Sequence, residues 1–87
     1  MLLFILYNMN TMFEELDTVV LNHNIDKYGL KKGDIGTIVH EYKEGKAWEV
    51  EFLTAKGRTL AVLTLTSSDV RSIQNQEILH VRGFAAA

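Results

Sequence analysis

The stretch Trp48-Glu49-Val50-Glu51-Phe52 decides the fold. Apolar and charged side chains alternate along it, and a strand sends successive side chains to opposite faces. Trp48, Val50 and Phe52 therefore share a buried face, and Glu49 and Glu51 share a solvated one. Outward from it, Lys43-Glu44-Gly45 on one side and Ala55-Lys56-Gly57 on the other have the composition of short hairpin loops, with Gly where φ must be positive. Those loops predict flanking strands over Ile35 to Tyr42 and Arg58 to Leu65. Gly36, inside the first of these, marks a bulge, a bend or a close backbone approach. Arg58–Leu65 is almost all apolar or Thr, as in a strand covered on both faces or strongly coiled.

Before this meander, Leu16-Asp17-Thr18-Val19-Val20-Leu21 is a β-branched first strand that stops at Asn22-His23-Asn24. A long connection over 22–34 follows, with Gly29 and Gly33 in it. After the meander, Ser67-Ser68-Asp69 supplies capping side chains for a single helical or 3₁₀ turn. Val70–Ile73 is a short fifth strand, and Ile78–Val81 is a candidate sixth at the edge. Strand, long loop, three-strand meander, single turn and short strand make an all-β chain of five or six antiparallel strands rolled into a small closed barrel. The expected core is Val20, Ile35, Val39, Trp48, Val50, Phe52, Leu60, Val62, Leu65, Val70 and Ile73, with the choice between Ile38 and Val39 left open by Gly36.

With 87 residues there is room for one domain. The apolar share of 47% and charged share of 23% are those of a globular chain and argue against disorder. The absence of cysteine excludes a disulfide scaffold, a zinc knuckle, an iron–sulfur protein and a cysteine nucleophile. A net charge of −2 argues against a broad basic face for nucleic acid. Residues 1–12 stand apart: nine are apolar and none is charged. This leader is too short to span a bilayer and lacks the positive start of an export signal. It is expected to lie outside the native fold, with translation starting later, or to add an arm that a second copy covers. The barrel then occupies 13–83 and a tail 84–87, in a cytoplasmic protein with no membrane contact.

Five blocks in order carry a resemblance: Leu16–Leu21, Gly29–His40, Glu49-Val50-Glu51-Phe52, Leu63-Thr64-Leu65 and Asp69-Val70-Arg71. Over residues 14–83 the chain resembles a family of small uncharacterised bacterial proteins, frequent in cyanobacteria. That resemblance implies an SH3-like barrel and no established activity. Gly33-Asp34-Ile35-Gly36-Thr37 is more distantly similar to a turn of KOW-type domains and of SH3-like accessory subunits.

Candidate chemistry is sparse. His23, His40 and His80 lie in three different segments, without the spacing of metal ligands. Glu41, Glu44, Glu49 and Glu51 read as a solvated face, because nothing in the pattern buries a carboxylate. Gly33 and Gly36 do not open a helix, so no phosphate cradle is formed. No catalytic residue, cofactor or metal is expected. The expected function is non-enzymatic: an interaction module or accessory subunit for another protein, one version being the partner of a small enzyme or toxin encoded nearby. Tyr28 and Tyr42 are the expected anchors, with Lys31, Lys32, Lys43 and Lys46 around them. The rival is a KOW-like RNA-binding domain, disfavoured by net charge, and a homodimer would use residues 1–12 or an edge strand.

Overall fold

The computed structural model describes residues 12–42 and 45–84. Five strands, β1 (Thr18–Leu21), β2 (Ile35–Tyr42), β3 (Ala47–Leu53), β4 (Thr59–Leu65) and β5 (Val70–Ser72), and one 3₁₀ turn (Asp26–Tyr28) make up its regular structure. All strand pairs are antiparallel, in one sheet of order β4-β3-β2-β1-β5. The all-β expectation therefore holds, with five strands among the described residues. Among the described residues the sheet is not closed, and β4 and β5 are its two edges.

The register explains the core. Trp48 faces Leu65, Val50 faces Leu63 and Phe52 faces Ala61 across β3–β4, so the three alternating apolar residues of β3 meet an apolar row. Ile38 sits opposite Val50, Leu21 opposite Val70, and Val19 opposite Gly36 on the same face. Gly36 is the close approach expected of it. A Cβ there would stand 2.6 Å from a Val50 methyl and 2.9 Å from the Phe52 ring, so β2 carries no side chain where β3 presses on it.

Phe13 seals one end of this core. Its ring meets Trp48 edge-on at 4.8 Å, and the Trp48 indole N–H donates to the Phe13 carbonyl at 3.2 Å. A turn at 14–17 then leads into β1, with Leu16 at a positive φ of 74° and its N–H donating to the Ile38 carbonyl.

Several expectations are corrected. Val39 is the extra residue of a β-bulge between Ile38 and His40, and its side chain is exposed while Ile38 is buried. Val62 faces Glu51 on the outer surface and is 45% exposed. Leu60 only borders the core, beside the register shift between Phe52 and Leu53. Val20 is buried as expected, though on the opposite face from Val19 and Leu21. The 3₁₀ turn lies at Asp26–Tyr28 and not at Ser67-Ser68-Asp69. There, the Asp69 carboxylate accepts the Thr66 N–H and the Asp69 N–H donates to the Thr66 carbonyl, giving a tight turn straight into β5. Ile78–Val81 forms no strand. The first eleven residues, Lys43, Glu44 and the final three lie outside the described residues.

Candidate functional site

The chain between β1 and β2 is built on local hydrogen bonds. Ile25 and Leu30 exchange backbone bonds around the 3₁₀ turn, which Gly29 ends in the left-handed conformation at φ 69°. Leu30 is thereby driven into the core. In Lys31-Lys32-Gly33-Asp34, the Asp34 carboxylate accepts the Lys31 N–H at 2.8 Å while the Asp34 N–H donates to the Lys31 carbonyl at 2.9 Å. Gly33, at φ 96°, donates to the Leu21 carbonyl, and Leu21 donates to the Asp34 carbonyl. The turn is thus fastened to the end of β1, and Asp34 is held at the mouth of the sheet.

Asp34 is the one buried polar or charged residue among those described. Its partners come from 46 and 48 residues further along the chain. Arg82 donates Nε–H to Oδ1 at 2.8 Å and Nη2–H to Oδ2, and its Nη2 also donates to the Gly29 carbonyl at 3.0 Å. The fork thereby joins the carboxylate to the C-terminal end of the 3₁₀ turn, where a cation is favoured. His80 Nε2 lies 3.2 Å from Oδ1. Burial alone would raise the Asp34 pKa, but the Arg82 fork, the Lys31 N–H and His80 together hold it down at about 2.

The segment after β5 reaches Asp34 because of a second fork. Arg71 binds Glu77 through two 2.7 Å bonds, and the Glu77 carboxylate also accepts the Gln74 N–H. That turn sends residues 77–84 back across the outer face of β1 as a strap. The strap and the outer face of the sheet border an open hollow of about 220 Å³ lined in part by Val20, Ile35 and Leu79, and Val20 is buried on that outer face. A larger cavity, about 360 Å³, opens beside the Asp34–Arg82 pair. Leu30, Ile35, Phe52, Leu53 and Leu60 form its sheet side, and Phe84 is a wall on the strap side.

Tyr28, Lys31 and Lys32 stand at this same end and are exposed. The Lys27 ammonium lies 5.6 Å from the Tyr28 ring centre. Tyr42 and Lys46 sit at the far end of β2, roughly 20 Å away at about 3.3 Å per residue. There the Tyr42 hydroxyl donates to Glu49 at 3.0 Å, which raises its pKa, and the His40 ring packs edge-on against it. The two tyrosines are therefore not brought together. Lys43 lies outside the described residues. The histidines occupy three separate places: His23 on Asp69 at 2.7 Å, His40 beside Tyr42, and His80 on Asp34. Among the described residues no three His, Asp or Glu side chains gather as metal ligands would. Nor is any helix there long and apolar enough to cross a membrane. The sequence reading missed Arg82 and Asp34, whose only local signal was a Gly-Asp turn.

Residues 15–72, two thirds of the chain, match a family described as a domain of unknown function, DUF4926. The chain belongs to this family. Its matched span ends at Ser72 with β5, so Asp34, Leu30 and the sheet side of the larger cavity lie within the DUF4926 unit, and His80, Arg82 and Phe84 lie beyond it. No curated protein and no solved structure matches the chain.

Proposed function

We propose that this DUF4926 protein is a non-enzymatic SH3-like interaction module, an accessory subunit for another protein in the bacterial cytoplasm. Its contact surface is the end that carries the 22–34 loop, the strap and the larger cavity. The observation that carries this reading is the make-up of that end. A mostly apolar hollow is flanked by an exposed tyrosine and lysines, and its polar groups, Asp34, Arg82 and His80, are already spent on one another. Such a surface suits recognition, where aromatic anchors contribute most of the energy. The tyrosine at the opposite end is engaged with Glu49 and His40 and is the natural control.

The test places a photo-crosslinking amino acid at Tyr28 in one strain and at Tyr42 in another, in the native host. A discrete higher-mass protein adduct from position 28, several-fold stronger than from position 42, is the expected result. Equal adducts from both positions, or none, would refute the reading. RNA binding is the second reading, favoured by the Lys27–Tyr28 pair beside Lys31 and Lys32. It requires an adduct that nuclease removes and binding that falls steeply with salt.

A further inference from the structure

The strap is oriented against the hydrophobic pattern of its own sequence. Ile78 and Val81 are 93% and 95% exposed and Leu79 is also exposed, whereas His80 and Arg82 turn inward to Asp34. A segment that served only to cover an apolar face would bury its isoleucine and valine and leave its cations in water. This one does the reverse. Its polar attachment is local, the Arg82 fork on Asp34 and Gly29 and the His80 contact, with Val81 and Phe84 as apolar lining of the larger cavity. It makes no strand pairing with the sheet.

Each part of the docking side fits a part of the strap. Asp34 is fixed within its own turn by the Lys31 N–H, so a buried carboxylate with two oxygens in a set plane is presented to a planar fork. The Gly29 carbonyl adds a third acceptor for the same guanidinium. Beside it, Leu30, Ile35, Phe52, Leu53 and Leu60 form an apolar hollow of about 360 Å³, of which Phe84 supplies only a wall. The docking side belongs to the DUF4926 unit and the strap does not.

We propose that the groove formed by Gly29, Asp34 and this hollow is a receptor for an extended peptide carrying arginine two residues before an aromatic side chain, and that residues 78–84 occupy it in cis as a built-in ligand. A partner protein with such a segment displaces the strap, its guanidinium replacing that of Arg82 on Asp34 and its aromatic side chain filling the hollow. This inference rests on the reading of this end as the contact surface, and it names the chemistry that surface selects.

The test uses the full-length protein and a synthetic peptide of residues 78–84, titrated by calorimetry into wild type and into Arg82→Ala. The variant is expected to bind the peptide at least about tenfold more tightly than wild type, because its own strap no longer competes. Replacing the peptide's arginine by lysine should weaken binding by about tenfold or more, since an ammonium cannot reproduce the fork. Adding Asp34→Asn to the Arg82→Ala chain should abolish it. Phe84→Ala, which leaves the ion pair intact, is the second receptor and should bind the peptide more tightly than wild type does. Failure of both variants to bind while they melt cooperatively overturns the inference, as does equal binding by the arginine and lysine peptides. A strap whose loss in both variants abolishes folding overturns it too, because it would not be exchangeable. Should the peptide fail while Tyr28 still yields its crosslink, the inference falls and the interaction reading stands.

Discussion

Asp34 shows how one side chain couples distant parts of the chain. Its carboxyl ionises with a pKa of about 2 in the folded protein, against an ordinary value of 3.8. A group whose folded pKa is depressed contributes stability that is complete above its unfolded pKa and is lost as pH falls toward its folded one. Stability should therefore drop by roughly 2 kcal/mol from this residue alone between about pH 4 and pH 2. Glu77, also held at about 2, first by the Arg71 fork and then by the Gln74 N–H, acts in the same direction. Urea midpoints across that range should fall less steeply for Asp34→Asn than for wild type. The variant should also start lower at neutral pH, by about 1–3 kcal/mol, since it leaves Arg82 without its charged partner. Parallel pH profiles for the two proteins would show that Asp34 is not what ties the strap down.

Among the elements, β3 was the most legible because one simple rule governs it. Trp48, Val50 and Phe52 alternate with glutamates and each meets an apolar residue of β4, so period-two patterning was enough. β4 was harder: its outward residue Val62 is as apolar as its inward ones, and composition alone cannot tell the faces apart. In β2 the core face is carried by Gly36 and Ile38, so the apolar Ile35 and Val39 stand on the other face; the missing side chain at Gly36 hid that alternation, and the bulge at Val39 shifts only the pairing beyond it. The hook at Phe13 was missed as a core contributor because it lies before the first strand. Phe13→Ala should cost about 3–5 kcal/mol, the usual range for a buried aromatic, and Phe13→Leu much less. Urea denaturation reads both, and a cost near zero for the alanine variant would show that the ring is not part of the core.

For the molecule as a whole, the all-β architecture followed from local patterns, whereas the candidate site did not. Asp34 and Arg82 are 48 residues apart, and no periodicity links a turn before β2 to a tail after β5. Tyr28 and Tyr42 looked equivalent as exposed aromatics, but the length of β2 puts them at opposite ends. Among the described residues the sheet also has unequal edges. β5 is three residues long, whereas β4 runs for seven from Thr59 to Leu65 without a single charged residue. Natural edges of that length usually carry a charge that discourages pairing with another chain. Thr64→Lys, on the outer face opposite Glu49, should change stability by no more than about 0.5 kcal/mol. It should nonetheless raise the concentration at which light scattering detects self-association. An unchanged threshold would show that β4 is not the sticky edge.

The enclosure of Trp48 gives the protein an optical signature. It is the sole indole in the chain, has no solvent exposure, and is roofed by Phe13. Its emission should lie well to the blue, and iodide should barely quench it. Any event that lifts the N-terminal hook, while the sheet stays folded, would announce itself as a red shift at this one wavelength reporter. Release of the strap at the opposite end of β2 would leave that emission unchanged.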